Sequence, residues 1–231
     1  MDDRDRYVML MTSLPRWERL FLAKRPPLSR LKLDRRLRAL DAPDARLLDQ
    51  VEALIGWGRK TMELTDADVI AHTEATLAQL DNATLSTVIH NRLEMRTVIA
   101  ALRRRQRGEP APAPDSAWGF GRRRRHIADH WTEPAFRLDN VYPWLREAAR
   151  SMAENDTVGF ERLILEAGHR DLQRQGAGHE FDIEAVVIYV LTWDIFDRWA
   201  RAAAMAAETR FEQMTAEGLG AYGDLQFEGG I

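Results

Sequence analysis

His126 and His130 stand four residues apart in the run His-Ile-Ala-Asp-His, with Asp129 between them and Glu133 beyond. On a helix that spacing puts both imidazoles on one face, as a metal site requires. The run lacks the glutamate that a zinc hydrolase places directly after its first histidine, and no third histidine lies near. Two nitrogens from one face are too few for a tetrahedral site, so these residues are read as surface or hydrogen-bonded histidines. A metal-dependent enzyme built on His126, His130 and a distant carboxylate is the weakest of three functional readings. Glu166-Ala-Gly-His169 fits the Glu-x-x-His element of di-iron bundles, but that architecture needs a second such element and the chain has none. Glu180, Asp182 and Glu184 alternate with apolar residues where a helix begins, and favourable interaction with the helix dipole accounts for them.

Arginine supplies the least ordinary feature. Arg103, Arg104, Arg105 and Arg107, then Arg122, Arg123, Arg124 and Arg125, stand on either side of a proline-rich stretch, opposed between residues 103 and 125 only by Glu109 and Asp115. Four consecutive arginines on a helix fan through about 100° per step, so they cannot all face one flat partner. Such a segment suits a phosphate-rich ligand, an anionic lipid surface or an acidic protein patch, or else a solvated face paired with the chain's own carboxylates. A nucleic-acid or anionic-lipid binder using Arg103–Arg125 is therefore the second reading. No zinc, RNP or helix-turn-helix pattern accompanies the charge, which argues against nucleic acid.

Other chemistry is missing its parts. The chain has no cysteine, which excludes disulfides, thiolate metal sites and cysteine nucleophiles. Neither a P-loop lysine pattern nor Gly-x-Ser-x-Gly occurs. No catalytic residue, cofactor site or metal ligand is assigned, and the chain reads as non-catalytic. The net charge of −3 argues against a uniformly basic surface but leaves local patches open. The N-terminus carries charge before only five apolar residues, Tyr7–Met11, and the longest apolar stretch, Ala185–Leu191, is far too short to cross a membrane. These features imply a cytoplasmic protein that can still sit peripherally on a membrane complex.

The elements that position these residues read as helices. Tyr7–Met11 suits a short strand or a buried run, closed by Ser13-Leu14-Pro15, and a short helix follows around Ser29–Leu40, ending near Pro43. Asp44 suits an N-cap for a helix carrying Leu47, Leu48, Val51, Leu54 and Ile55, stopped by Gly56 and Gly58. Thr65 and Asp68 resemble a capping box opening a segment to about Leu80. Leu85, Val88, Ile89, Leu93, Val98, Ile99 and Leu102 predict a helix over Ala83–Arg107. Glu109 to Asp115 alternates proline and alanine, giving an extended linker with little burial. After it, Trp118-Gly119-Phe120-Gly121 leads into a basic helix to about His130. Further helices start near Pro143, at Asp156 or Thr157 until Gly176, and at Asp182 until about Glu217. Tyr189, Trp193, Phe196 and Trp199 on the last helix are expected in the core.

The fold class is thus all-α: an irregular bundle, at least about 60% helical, with a long C-terminal helix. Its organisation is read as a helical half 1–108, a Pro-rich linker 109–117 and a second half 118–231. The linker either separates two subdomains or loops between helices of one.

Several segments carry a resemblance: Tyr7 to Pro15, Asn91-Arg92-Leu93-Glu94-Met95-Arg96, Trp118-Gly119-Phe120-Gly121, Trp131-Thr132-Glu133-Pro134, Val141-Tyr142-Pro143-Trp144-Leu145 and Phe181-Asp182-Ile183-Glu184-Ala185. Together they resemble an uncharacterised bacterial family associated with V-type (A-type) ATPases, similar in kind to the C/d subunit that caps the membrane rotor ring. The resemblance implies a non-catalytic, helical part of a rotary ATPase acting through protein partners, with proton or sodium transport coupled to ATP in the complex. It brings no catalytic residues with it.

Overall fold

In the computed structural model, residues 5–56, 66–113 and 116–223 are described. The structure is 68% helical, above the expected fraction, and no strand occurs among the described residues. No helix among them is long and apolar enough to cross a membrane.

The first apolar run is a helix, α1 (Val8–Ser13), where the sequence suggested a strand or a buried run. The reason is spacing. Tyr7, Leu10 and Leu14 recur at three and four residues and are buried, whereas Met9 between them is exposed. Next come α2 (Arg30–Leu37) and α3 (Ala42–Ile55). The N-cap of α3 is Asp41 rather than Asp44, its carboxylate accepting the Asp44 amide at 3.2 Å. Pro43 falls inside the first turn of α3, where a missing N–H costs nothing, so it does not separate the two helices. Asp44 instead accepts the hydroxyl of Tyr7. Gly56 ends α3 as expected, while Gly58 and Thr65 lie outside the described residues.

Helices α4 (Asp66–Gln79) and α5 (Ala83–Gln106) follow. Asn82 caps α5 by accepting the Leu85 amide at 2.9 Å. The proline segment after α5 is less solvated than expected: Pro112 is buried, and the indole of Trp131 donates to the carbonyl of Glu109 at 3.0 Å. The basic helix expected after Trp118-Gly119-Phe120-Gly121 and reaching about His130 is the short α6 (Arg124–Asp129). Gly121 sits at φ +93°, outside helical space, and Gly119 is pressed against Thr97, so residues before Arg124 form a strap instead.

Helix α7 (Leu145–Ala153) starts two residues after Pro143. Asp156 caps α8 (Thr157–Gln175), accepting the Gly159 amide at 2.8 Å. Asp182 accepts the Ala185 amide at 2.9 Å at the start of α9 (Ile183–Gly223), whose 41 residues exceed the expected length.

Two cores result, and they cut across the division at residues 109–117. The first joins Leu10, Leu33, Val51 and Ile89 to Val190 and Phe196 of α9. The second gathers Val98, Leu102, Ile127, Phe136, Leu145 and Ile164. Helix α5 feeds both, with Leu85–Leu93 in one and Met95–Leu102 in the other. Each such side chain contributes roughly 1.5–3 kcal/mol on burial, so α5 and α9 tie the two sides of the linker together. Polar links reinforce this. The Tyr7 amide donates to the Phe181 carbonyl at 2.7 Å, and the Trp193 indole donates to the Leu28 carbonyl at 2.8 Å.

Candidate functional site

The eight arginines do not build one surface. Arg104 and Arg107 both pair with Glu109, at 2.8 and 2.6 Å. Arg105 turns inward, donating to the carbonyls of Trp131 (3.1 Å) and Glu133 (2.7 Å) with its guanidinium over the Phe136 ring. Arg103 lies over the ring of Phe160. Burial pushes the pKa of both Arg103 and Arg105 below the ordinary arginine value. Across the linker, Arg123 pairs with Glu94 and lies over the Tyr142 ring, while Arg122 reaches the same carboxylate only at 4.0 Å. For Arg124 and Arg125 no carboxylate lies within ion-pair distance among the described residues. The charge that looked continuous in the sequence is divided between inward contacts, pairing with Glu109 and Glu94, and the strap surface.

The histidine pair does share a helical face, but the rings stack on each other, 4.2 Å between centroids, instead of converging on a point. One nitrogen of each is already used: His126 Nε2 lies 3.0 Å from the Phe136 carbonyl, and His130 Nδ1 lies 2.9 Å from the His126 carbonyl. His169 stands edge-on to Phe196, and burial lowers its pKa. Glu166 pairs with Arg170 along α8. Among the described residues, those whose ligand atoms do approach one another, within 4.8 Å, are His179, Asp182 and Glu184. His179 escaped the sequence reading because it precedes the helix whose start holds the other two. Here the groups hold the fold: His179 Nδ1 is 2.7 Å from Asp182, its Nε2 is 3.2 Å from the Thr84 hydroxyl, and Glu184 accepts from Asn82 at 2.9 Å. Gly218, Gly220 and Gly223 have the Gly-x-Gly-x-x-Gly spacing, but they close a helix and follow no strand, so they make no nucleotide turn.

A larger concavity lies where α4, α5 and α8 meet the strap 119–124 and the turn 141–144: a cleft of about 1240 Å³. Three of the segments that carry the family resemblance, Asn91–Arg96, Trp118–Gly121 and Val141–Leu145, come together around it. The strap is pinned to α5. The Phe120 amide donates to the Thr97 hydroxyl at 2.8 Å, and that hydroxyl lies 3.0 Å from the Phe120 and Leu93 carbonyls. Glu94 then gathers Arg123, Arg122 and the Tyr142 hydroxyl, the last at 3.3 Å. Burial first, and the Glu94 charge second, push the Tyr142 phenol up to about 12.

Beneath the cleft sits a group of cations that the sequence reading did not single out. Arg96 donates to the carbonyls of Leu54, Ile55 and Gly56 at 2.9, 3.0 and 2.7 Å, capping the C-terminus of α3. Its pKa is lowered to about 10, by burial and then by the Arg198 charge. Arg92 packs against Gly168, where a β-carbon would stand 2.7 Å from its Nη1. Burial lowers its pKa as well, with Arg96 and Arg198 adding repulsion. The available signal was the placement of Arg92, Glu94 and Arg96 between the core residues Leu93, Met95 and Val98 on a buried helix. Comparison with protein-family models, with curated proteins and with solved structures finds no match to this chain.

Proposed function

We propose that this chain is a non-catalytic helical subunit or adaptor of a V-type/A-type rotary ATPase, acting through protein–protein contacts on the cytoplasmic side. The reading rests on the segments that resemble the V-type-associated family. The end of α9 supports it. At a rise of about 1.5 Å per residue the 41-residue helix runs about 60 Å. Among its described side chains burial stops at Phe196, and farther along Phe211 and Met214 are 68% and 63% exposed. Ala200, Ala203, Ala204, Ala207, Phe211 and Met214 follow one another at intervals that keep them on a single helical stripe. A long helix that carries an apolar stripe away from its own core is suited to packing against helices of a partner. Peripheral attachment to a membrane would then come through the complex.

The test is co-purification from the native cell. Tagged full-length protein is expected to bring down rotor-ring and central-stalk subunits, and Phe211→Ser with Met214→Ser is expected to lose them while keeping the wild-type circular dichroism. Recovery without any ATPase subunit would reject the reading.

A further inference from the structure

The cleft between α4, α5 and α8 carries a second inference, independent of the assembly reading. Its volume of about 1240 Å³ is somewhat above the roughly 300–1,000 Å³ of ordinary small-molecule sites, so a ligand of that size fills only part of it. Its apolar wall is formed by Leu77, Val88, Phe120, Val141, Leu163 and Leu172, with charged side chains interleaved. The acids on it are mostly neutralised from within. Glu94 is held by Arg123, Glu166 by Arg170, Asp171 by Arg174 and Asn91, and Glu147 by Arg150. Glu74 on α4 also lines the cleft, so the excess of cations is local to the strap, at Arg122 and Arg124. Arg122 is 82% exposed and only 4.0 Å from the already paired Glu94, and Arg124 beside it has no carboxylate in reach among the described residues. Deeper in, the same cleft is lined by Arg92, whose Nη2 is shielded from solvent.

We propose that this cleft binds a small amphipathic anion, with an apolar body against Phe120, Val141, Leu163 and Leu172 and one acidic headgroup at Arg122 and Arg124. An apolar wall gains by covering itself, and a guanidinium pair at the rim offers planar donors matched to a carboxylate, sulfonate or phosphate. Neither half suffices alone. A free inorganic anion would leave the walls wet, and a neutral apolar molecule would leave the rim charge uncompensated.

The full-length protein is titrated with 8-anilinonaphthalene-1-sulfonate and, separately, with N-phenyl-1-naphthylamine, which has a closely similar body without the sulfonate. The sulfonate is expected to bind saturably at one molecule per chain and the neutral dye more weakly. Arg122→Gln with Arg124→Gln, both outside the cores, is expected to weaken the sulfonate about tenfold and leave the neutral dye unchanged. Ala167→Phe, which adds bulk inside the cleft, is expected to weaken both dyes, with circular dichroism confirming that the variant is folded. Decanoate is expected to displace the sulfonate where inorganic phosphate does not. Unsaturable binding, equal affinity for the two dyes, indifference to the double arginine variant, or displacement by phosphate or single-stranded oligonucleotide as effective as by decanoate would overturn the proposal.

Discussion

The guanidinium of Arg105 lies 4.3 Å from the centroid of the Phe136 ring, while its Nη1 donates to the carbonyl of Glu133 just before that ring's own turn. The turn needs such a clamp. Ala135, Phe136 and Arg137 all have positive φ, at 50°, 51° and 55°, a left-handed turn that costs L-residues about 1–2 kcal/mol each. Full burial of Phe136 and the His126 contact to its carbonyl offset part of that cost.

Arg105→Lys keeps the charge but loses the planar stack and the paired donors. It is expected to destabilise the protein by about 1–3 kcal/mol in urea denaturation. Ala135→Gly, which permits positive φ freely, is expected to cost little or to stabilise by up to about 1 kcal/mol. A neutral Arg105→Lys or a strongly destabilised Ala135→Gly would mean that this turn is not held as described.

The clamp also marks what could be read from the sequence. Helix periodicity and caps are local, so the apolar spacing from Leu85 locates α5, and Asp156 and Asp182 locate α8 and α9, within a residue or two. The destination of Arg105 is not local. It depends on a turn about thirty residues later folding left-handed, which no spacing rule encodes. The basic segment therefore looked like one surface, whereas the fold sends Arg105 inward, pairs Arg104 and Arg107 with Glu109, and anchors Arg123 on Glu94. The cleft was hidden for the same reason. Its walls come from α5, the strap, the 141–144 turn and α8, and only tertiary packing joins them. The end of α2 at Leu37 and the cap at Asp41 are not legible from Pro43, because proline is tolerated in a first helical turn and marks no stop there.

Gly119 and Thr97 give a direct test of the strap. A β-carbon on Gly119 would stand 2.5 Å from the Thr97 methyl and 3.3 Å from its β-carbon. Gly119→Ala is expected to destabilise by roughly 2–3 kcal/mol by overpacking. Thr97→Ser removes the offending methyl and retains the hydroxyl that holds Phe120, so the double variant is expected to recover most of the loss. Additive losses in thermal melts would place the strain elsewhere.

Asp194 makes stability depend on pH. Its carboxyl is pushed up from 3.8 to about 6, by burial and next by the Glu52 charge, with Asp197 adding to the rise and Arg30 and Arg92 opposing it. The folded chain therefore keeps this proton to higher pH than the unfolded chain. Stability falls as pH rises from about 4 to about 6, and above that range the full cost of the buried charge is present. Asp194→Asn is expected to be more stable than wild type near pH 7, by on the order of 2 kcal/mol, with the advantage vanishing near pH 4. Melting curves across that range check the sign. An advantage that grows toward acid pH would contradict it.

The last expectation concerns nucleic acid, where the engaged arginines make a quantitative difference. If all eight arginines of the basic segment met phosphates, log K against log salt would have a slope of about −7 on duplex DNA, since each neutralised phosphate contributes about −0.9. Arg122 is 82% exposed and reaches the already paired Glu94 only at 4.0 Å. It joins Arg124 and Arg125, which have no carboxylate in reach among the described residues, and a site limited to those three predicts a slope of about −3. Fluorescence anisotropy with a labelled duplex from low to physiological salt separates the two cases. The shallow slope is expected, with binding too weak to matter at physiological salt, because recruiting Arg105 or Arg123 would break the contacts that hold Phe136 and Glu94. Tight binding with the steep slope, abolished by replacing Arg122 to Arg125 with glutamine, would show that the segment rearranges to meet nucleic acid and would count against the subunit reading.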